Sequence, residues 1–139
     1  MSGIHRWPDL PAIECWSERD PNVDPPDFRV ADVAAAESCL VYCEVLPGGT
    51  VGEHTDSAEE VVVVIEGVLD AWAGDRRTTL QKGDLLVIPA MQPHGLANRG
   101  REPARFVGVF VEPRVVNTFA KPLMPFNERV LETPSPPPS

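Results

Sequence analysis

Along the chain, short apolar segments alternate with breaks built from glycine and proline. Residues 38–46 (SCLVYCEVL) alternate weakly between polar and apolar and are rich in strand formers, until Pro47-Gly48-Gly49 stops them. Residues 61–65 are four valines and an isoleucine, whose branching at Cβ favours an extended backbone. Gly67 interrupts that run and 68–73 resumes it; Gly74-Asp75 is a hairpin-turn signal, and 76–80 returns. Gly83-Asp84 turns again, and 85–88, 94–99 and 105–111 complete a series of about seven or eight strands. Within the core no longer stretch carries a clean helical period. Residues 30–37 (VADVAAAE) are the one place where composition, rich in Ala and Glu, favours a short helix. Short strands at this spacing predict an all-β, antiparallel sandwich or barrel.

Proline sharpens the boundaries. Of 16 prolines, five lie in the first 26 residues and six in the last 18. Proline has no amide donor for a central ladder, so the regular core is expected to run from about residue 28 to about residue 112. The division that follows is an N-terminal arm (1–27), one domain (28–120) and a C-terminal extension (121–139) ending in TPSPPPS, which reads as disordered. The arm carries Trp7 and Trp16, and these are expected to pack on the core or on a second subunit.

Length and charge narrow the function. A chain of 139 residues with 42% hydrophobic positions holds one globular core. No uninterrupted apolar run exceeds five residues, against the roughly 20 that a membrane helix needs, so no membrane partner is expected. The opening MSGIHRWPDL lacks the basic-then-apolar pattern of a signal peptide, which points to the cytoplasm. Twelve basic against 21 acidic residues give a net charge of −9, which repels phosphate backbones and argues against nucleic acid. Three cysteines, two of them (Cys39 and Cys43) at same-face strand spacing, read as small buried hydrophobes of a reducing compartment.

Two of the three histidines sit where chemistry is expected. His54 lies in GEHTDSAEE, before the valine run, and His94 heads the segment after VIPAMQP. On an extended backbone His54, Asp56 and Glu60 share one face, while Glu59 has the opposite parity. Imidazole with carboxylate suits Zn, Mn, Ni or Fe(II). On these residues alone, a solvated turn with charged side chains is an equal alternative.

The spacing also resembles the two conserved motifs of the cupin superfamily. Gly48, five residues, His54-x-Asp56, three residues, Glu60, six residues and Gly67 are similar to the first. Gly83, five residues, Pro89-Ala90-Met91, two residues, His94, three residues and Asn98 are similar to the second, with Met91 where that motif has glycine. The resemblance covers about residues 40–112 and implies a jelly-roll β-barrel, or double-stranded β-helix, in a small single-domain protein. It implies one divalent metal ion held by His54, Asp56, Glu60 and His94, with Fe(II) favoured and Mn, Ni, Zn or Cu open. Asp56 stands where the family usually has a second histidine. It is therefore either a ligand or a group just behind His54, Glu60 and His94, which would form a face of two histidines and one carboxylate. Asp56, Glu60 and His94 are the candidate catalytic residues. The implied activity is a non-haem Fe(II) dioxygenase or oxygenase acting on a small molecule. A Lewis-acid isomerase, lyase or cyclase and a non-catalytic binding barrel are the alternatives, and a homodimer is the expected assembly. The same His-x-Asp…His pattern followed by Arg105 is similar to 2-oxoglutarate-dependent oxygenases, but the cupin spacing accounts for more positions and leaves Arg105 an ordinary strand residue. Tyr42, Trp72, Phe106 and Phe110 are weaker candidates for the pocket wall, and Glu44 and Asp70 read as solvent-facing.

Overall fold

The valine-rich run shows how the pattern becomes structure. In the computed structural model, which describes residues 3–135, it forms a strand with Glu60, Val62 and Val64 buried on one face and Val61, Val63 and Ile65 half-buried on the other. Period-two alternation places one set of side chains between two sheets, where each fully buried Val or Ile contributes about 1.5–3 kcal/mol.

Twelve strands follow in chain order: β1 (Ile13–Cys15), β2 (Phe28–Ala34), β3 (Cys39–Val45), β4 (Thr50–Asp56), β5 (Glu60–Glu66), β6 (Val68–Ala73), β7 (Arg76–Gln81), β8 (Leu85–Ile88), β9 (His94–Ala97), β10 (Ala104–Phe110), β11 (Val115–Leu123) and β12 (Glu128–Thr133). A single 3-10 turn, Trp7–Asp9, is the only helical element among the described residues. No helix there is long and apolar enough to cross a membrane. The strands form two antiparallel sheets, β1-β2-β3-β10-β5-β8 and β12-β11-β4-β9-β6-β7. The core fills the space between them, with Cys43, Val62, Val64 and Phe106 from the first sheet against Val51, Leu69, Leu96 and Phe119 from the second. This is the jelly-roll that the motifs imply, built as two facing sheets whose edges remain open rather than as a closed barrel.

Three local expectations change, and one open choice is decided. Residues 30–37 do not form a helix: Phe28–Ala34 is β2, paired residue for residue with β3 and flanked by β1. Alanine's helix preference is worth only a few tenths of a kcal/mol per residue, and a ladder to β3 along the whole strand, joined by β1 at Phe28–Val30, outweighs it. Strands also continue past residue 112, through the β11–β12 hairpin, and the division placed at 120 falls inside β11. Within TPSPPPS, Thr133 ends β12, and the Ser135 backbone N–H and hydroxyl both donate to Asp32, at 2.8 and 3.0 Å; residues 136–139 lie outside the described part. The arm packs on its own chain. Trp7 stacks on Tyr42 with ring centroids 4.0 Å apart, and Trp16 bridges to Met124.

The arm also fixes β4. The buried Asp27 carboxylate accepts backbone N–H bonds from Ser17, Glu18 and Arg19 through one oxygen and from Thr50 through the other. Four charge-assisted bonds to one carboxylate hold the start of β4, and with it the approach to His54.

Candidate metal centre

Three strands from two sheets bring the candidate residues together. β4 supplies His54 and Asp56, β9 supplies His94 as the direct cross-strand partner of His54, and β5 in the other sheet supplies Glu60. The register of β4 on β9 shifts between Val51 and His54, so Val51 and His54 are both buried although they are three residues apart. From there His54 and Asp56 alternate inward as an extended strand requires.

Both imidazoles are oriented by their own backbone. Nδ1 of His54 is 2.7 Å from the Gly52 carbonyl, and Nδ1 of His94 is 2.8 Å from the Gln92 carbonyl. A carbonyl accepts only, so Nδ1 carries the proton in each ring and the neutral imidazole turns the lone pair of Nε2 toward the centre. Nε2 of His94 lies 3.1 Å from Asp56 Oδ2 and 3.4 Å from Glu60 Oε1, and Nε2 of His54 lies 3.8 Å from Asp56 Oδ2. Asp56 Oδ2 and His94 Nε2 are buried and have no hydrogen-bond partner outside this cluster. His54, Asp56 and His94 each offer a ligand atom, all within 4.8 Å of one another. Lone pairs from two imidazoles and a carboxylate converging in a buried place repel one another unless a cation or a proton lies between them. The donor set fits a divalent ion.

The electrostatics agree. Burial lowers the His54 imidazolium, and the neighbouring His94 adds to the effect, bringing it down to about 4. Burial also works against a charged His94, but the carboxylates of Asp56 and Glu60 overcome it and push His94 up to about 10. Burial raises Asp56, yet its contacts with His94, His54 and Asn117 outweigh this and hold it below the usual carboxylate range. Glu60 stays above that range, because burial and the Asp56 charge outweigh its contact with His94. In the metal-free protein a proton on His94 takes the place that a cation would fill.

The wall of the site includes residues that the sequence reading missed. Asn117, opposite Asp56 on β11, donates from Nδ2 to Asp56 Oδ1 at 2.7 Å, and its own Oδ1 accepts from the Thr133 hydroxyl at 2.6 Å. Phe119, opposite His54, stacks on its ring at 4.6 Å. The signal was Val115, Asn117 and Phe119 at strand spacing, obscured by the prolines around them. Gly108 on β10 is a further contributor, since a Cβ there would sit 2.0 Å from Glu60 Oε2. Its missing side chain is the space that the Glu60 carboxylate occupies.

Beside the centre lies a cavity of about 620 Å³. Phe106 and Phe110 line it. Tyr42 and Trp72 do not: they have the opposite parity to Cys43 and Ala71, which are buried inside, so Tyr42 lies under Trp7 and Trp72 over Gly95. Arg105 points away as well, paired to Glu44 at 2.6 Å and to Glu66. Glu44 is buried rather than solvent-facing, held between Arg29 and Arg105. Asp70 binds Arg99 and Thr79 at the surface. Asn98 donates to the Val45 and Glu102 carbonyls, a structural role. All three cysteines are free and buried. Burial pushes Cys15 up to about 12 and Cys43 well above its ordinary value, which leaves neither a nucleophile.

Known proteins resemble this chain in sequence or in fold. The chain is 31% identical over 78 residues to the tetracenomycin polyketide synthase protein TcmJ of Streptomyces glaucescens, an alignment covering 55% of this chain and 52% of that protein. The chain thus spans about half the length of this relative. Among solved structures, the oxalate decarboxylase of Bacillus subtilis, described by its Mn(II) centres, superposes with a TM-score of 0.65 at 19% identity, over 74% of this chain and 30% of that one. A cupin-superfamily sugar phosphate isomerase from Silicibacter pomeroyi superposes with a TM-score of 0.66 at 17% identity, over 85% and 82%. Residues 41–110, from β3 to the end of β10, match the family profile described as Cupin domain. That segment is half of the chain and contains His54, Asp56, Glu60 and His94, so the chain belongs to the cupin superfamily.

Proposed function

We propose that this cupin is a metal-dependent enzyme acting on a small organic molecule, with one divalent ion held by Nε2 of His54, Nε2 of His94 and Oδ2 of Asp56. The observation that carries this reading is the convergence of buried ligand atoms on His54, Asp56 and His94 within 4.8 Å of one another, with Asp56 Oδ2 and His94 Nε2 lacking any partner outside that group of side chains. Two imidazoles and one carboxylate with free positions on the cavity side favour Fe(II), and so oxygenase chemistry. When bound, such an ion supplies Lewis acidity and, as Fe(II), a reductant for O₂. The protein supplies the rest. The backbone carbonyls of Gly52 and Gln92 lock the two rings, and Asn117 turns Asp56 Oδ2 toward them. The apolar wall excludes water, and Glu60, with its raised pKa, holds or moves a proton beside the substrate.

Glu60 also supports a second reading, a Lewis-acid isomerase, lyase or cyclase. Its carboxylate is 3.4 Å from His94 but outside the three-residue group, where it can act as a base rather than as a ligand. The similarity to a polyketide synthase protein is in keeping with such carbonyl chemistry. Protein purified without chelator or oxygen is expected to carry about one metal ion per chain, lost in folded His54→Ala and His94→Ala variants. Iron with oxygen uptake supports the oxygenase, and anaerobic turnover with zinc or manganese supports the second reading. No metal after reconstitution overturns both. A homodimer is proposed as well. The edge strand β8 exposes Leu85 (63%) and Val87 (55%), and sedimentation of Leu85→Lys against the unmodified chain tests it.

A further inference from the structure

The cavity has a one-sided chemistry. All five phenylalanines of the chain line it, together with aliphatic side chains such as Val30 and Leu96. Among the described residues no lysine or arginine lines it. Its ionisable side chains, apart from His54, are Asp32, Asp56, Glu60, Glu132 and the raised thiols of Cys15 and Cys43. Asp56 and Glu60 lie at the buried floor, and Asp32 and Glu132 near the rim, where Ile13 (38%) and Phe126 (40%) are partly exposed. An organic carboxylate or phosphate entering this space above the floor loses its water and finds carboxylates but no lysine or arginine to pair with, a costly transfer. The volume, about 620 Å³, is that of a site enclosing a drug-sized molecule.

We propose that the cavity takes an uncharged, ring-containing apolar molecule, with an oxygen donor on the end that faces His54 and Asp56, and that it rejects organic anions and phosphorylated compounds. The proposal names the substrate class of the metal centre proposed above and rests on that reading, but the cavity selects its ligand whether or not an ion is bound.

A matched pair of probes differing in charge tests it. Metal-free protein is dialysed to equilibrium at neutral pH against 2-naphthamide, 2-naphthoate or oxalate. The expected result is saturable binding of the amide, naphthoate weaker by about tenfold or more, and no binding of oxalate; tenfold is about 1.4 kcal/mol. Ile13→Arg places a cation at the rim on a partly exposed position, and in a variant whose thermal melt matches the unmodified chain it is expected to narrow the gap between amide and naphthoate. Naphthoate binding as tightly as the amide, or no saturable binding of the amide, overturns the proposal. Amide binding by a protein that takes up no metal would sink the metal-enzyme reading and leave this one. Metal loading with turnover of oxalate would do the reverse.

Discussion

Asn117→Ala isolates the contribution of a residue that touches the metal centre through one bond. Its Nδ2–H reaches Asp56 Oδ1 at 2.7 Å, and the Thr133 hydroxyl, 2.6 Å from Asn117 Oδ1, fixes which way the amide faces. Asp56 is 2% exposed, so no water replaces the lost donor at low cost. A hydrogen bond to a charged acceptor contributes about 1.5–3 kcal/mol. Carried in full into metal binding, that is a loss of about 10- to 100-fold in affinity, the range found when the outer partner of a metal ligand is removed. Thr133→Val leaves the amide in place but free to rotate. A neutral bond of about 0.5–1.5 kcal/mol limits its effect to about two- to tenfold. The assay is competition for Zn(II) or Mn(II) against a fluorescent chelator, with thermal melts of the metal-free variants to separate ligand orientation from global unfolding. If folded Asn117→Ala holds metal within about twofold of the unmodified protein, the bond does not orient Asp56 and the argument for Asp56 as a ligand fails.

The metal-free protein should be most stable near pH 6.5. His94 is raised from 6.5 to about 10, so its stabilisation is complete below 6.5 and is lost as pH rises through 10; His54 is lowered to about 4, so its share is present above 6.5 and is lost as pH falls through 4. Thermal midpoints across this range check the dome, and a flat profile contradicts it. Because binding must expel the His94 proton, metal affinity should rise about tenfold per pH unit toward pH 10, as measured by the same chelator competition. Gly108→Ala would put a methyl 2.0 Å from Glu60 Oε2, so Glu60 must move, at an overpacking cost of about 1–3 kcal/mol; an unchanged melt with unchanged metal affinity would show that the space is not tight. Met91→Gly should stabilise. Met91 holds φ at +65° and is 60% exposed, and an L-residue pays about 1–2 kcal/mol there, of which glycine's extra freedom when unfolded cancels about 0.5–1. A lower melting temperature would contradict this.

The chain's local pattern determined which segments are strands wherever the strand is bounded by glycine and filled with branched or aromatic residues, as in β3 and β5 to β8. It also determined that His54, Asp56 and Glu60 share a parity, and the glycine spacing of the two motifs pointed to the jelly-roll. Met91 belongs to the same set: the position where the motif has glycine is a left-handed one in the structure. These features are legible because they depend on neighbours two to seven residues away. The missed elements depend on distant neighbours. β2 is a strand because β3 pairs with its whole length and β1 with its first three residues, against the preference of its alanines. β11 is placed by pairing with β4, in spite of the prolines around it. Asn117 meets Asp56, and Glu60 crosses from the opposite sheet to His94, through contacts that no local spacing encodes. Parity says which side of a strand a residue faces. Only the packing of the two sheets decides which faces enclose the metal centre, and so puts Phe106 and Phe110 on the cavity while leaving Tyr42 and Trp72 outside it.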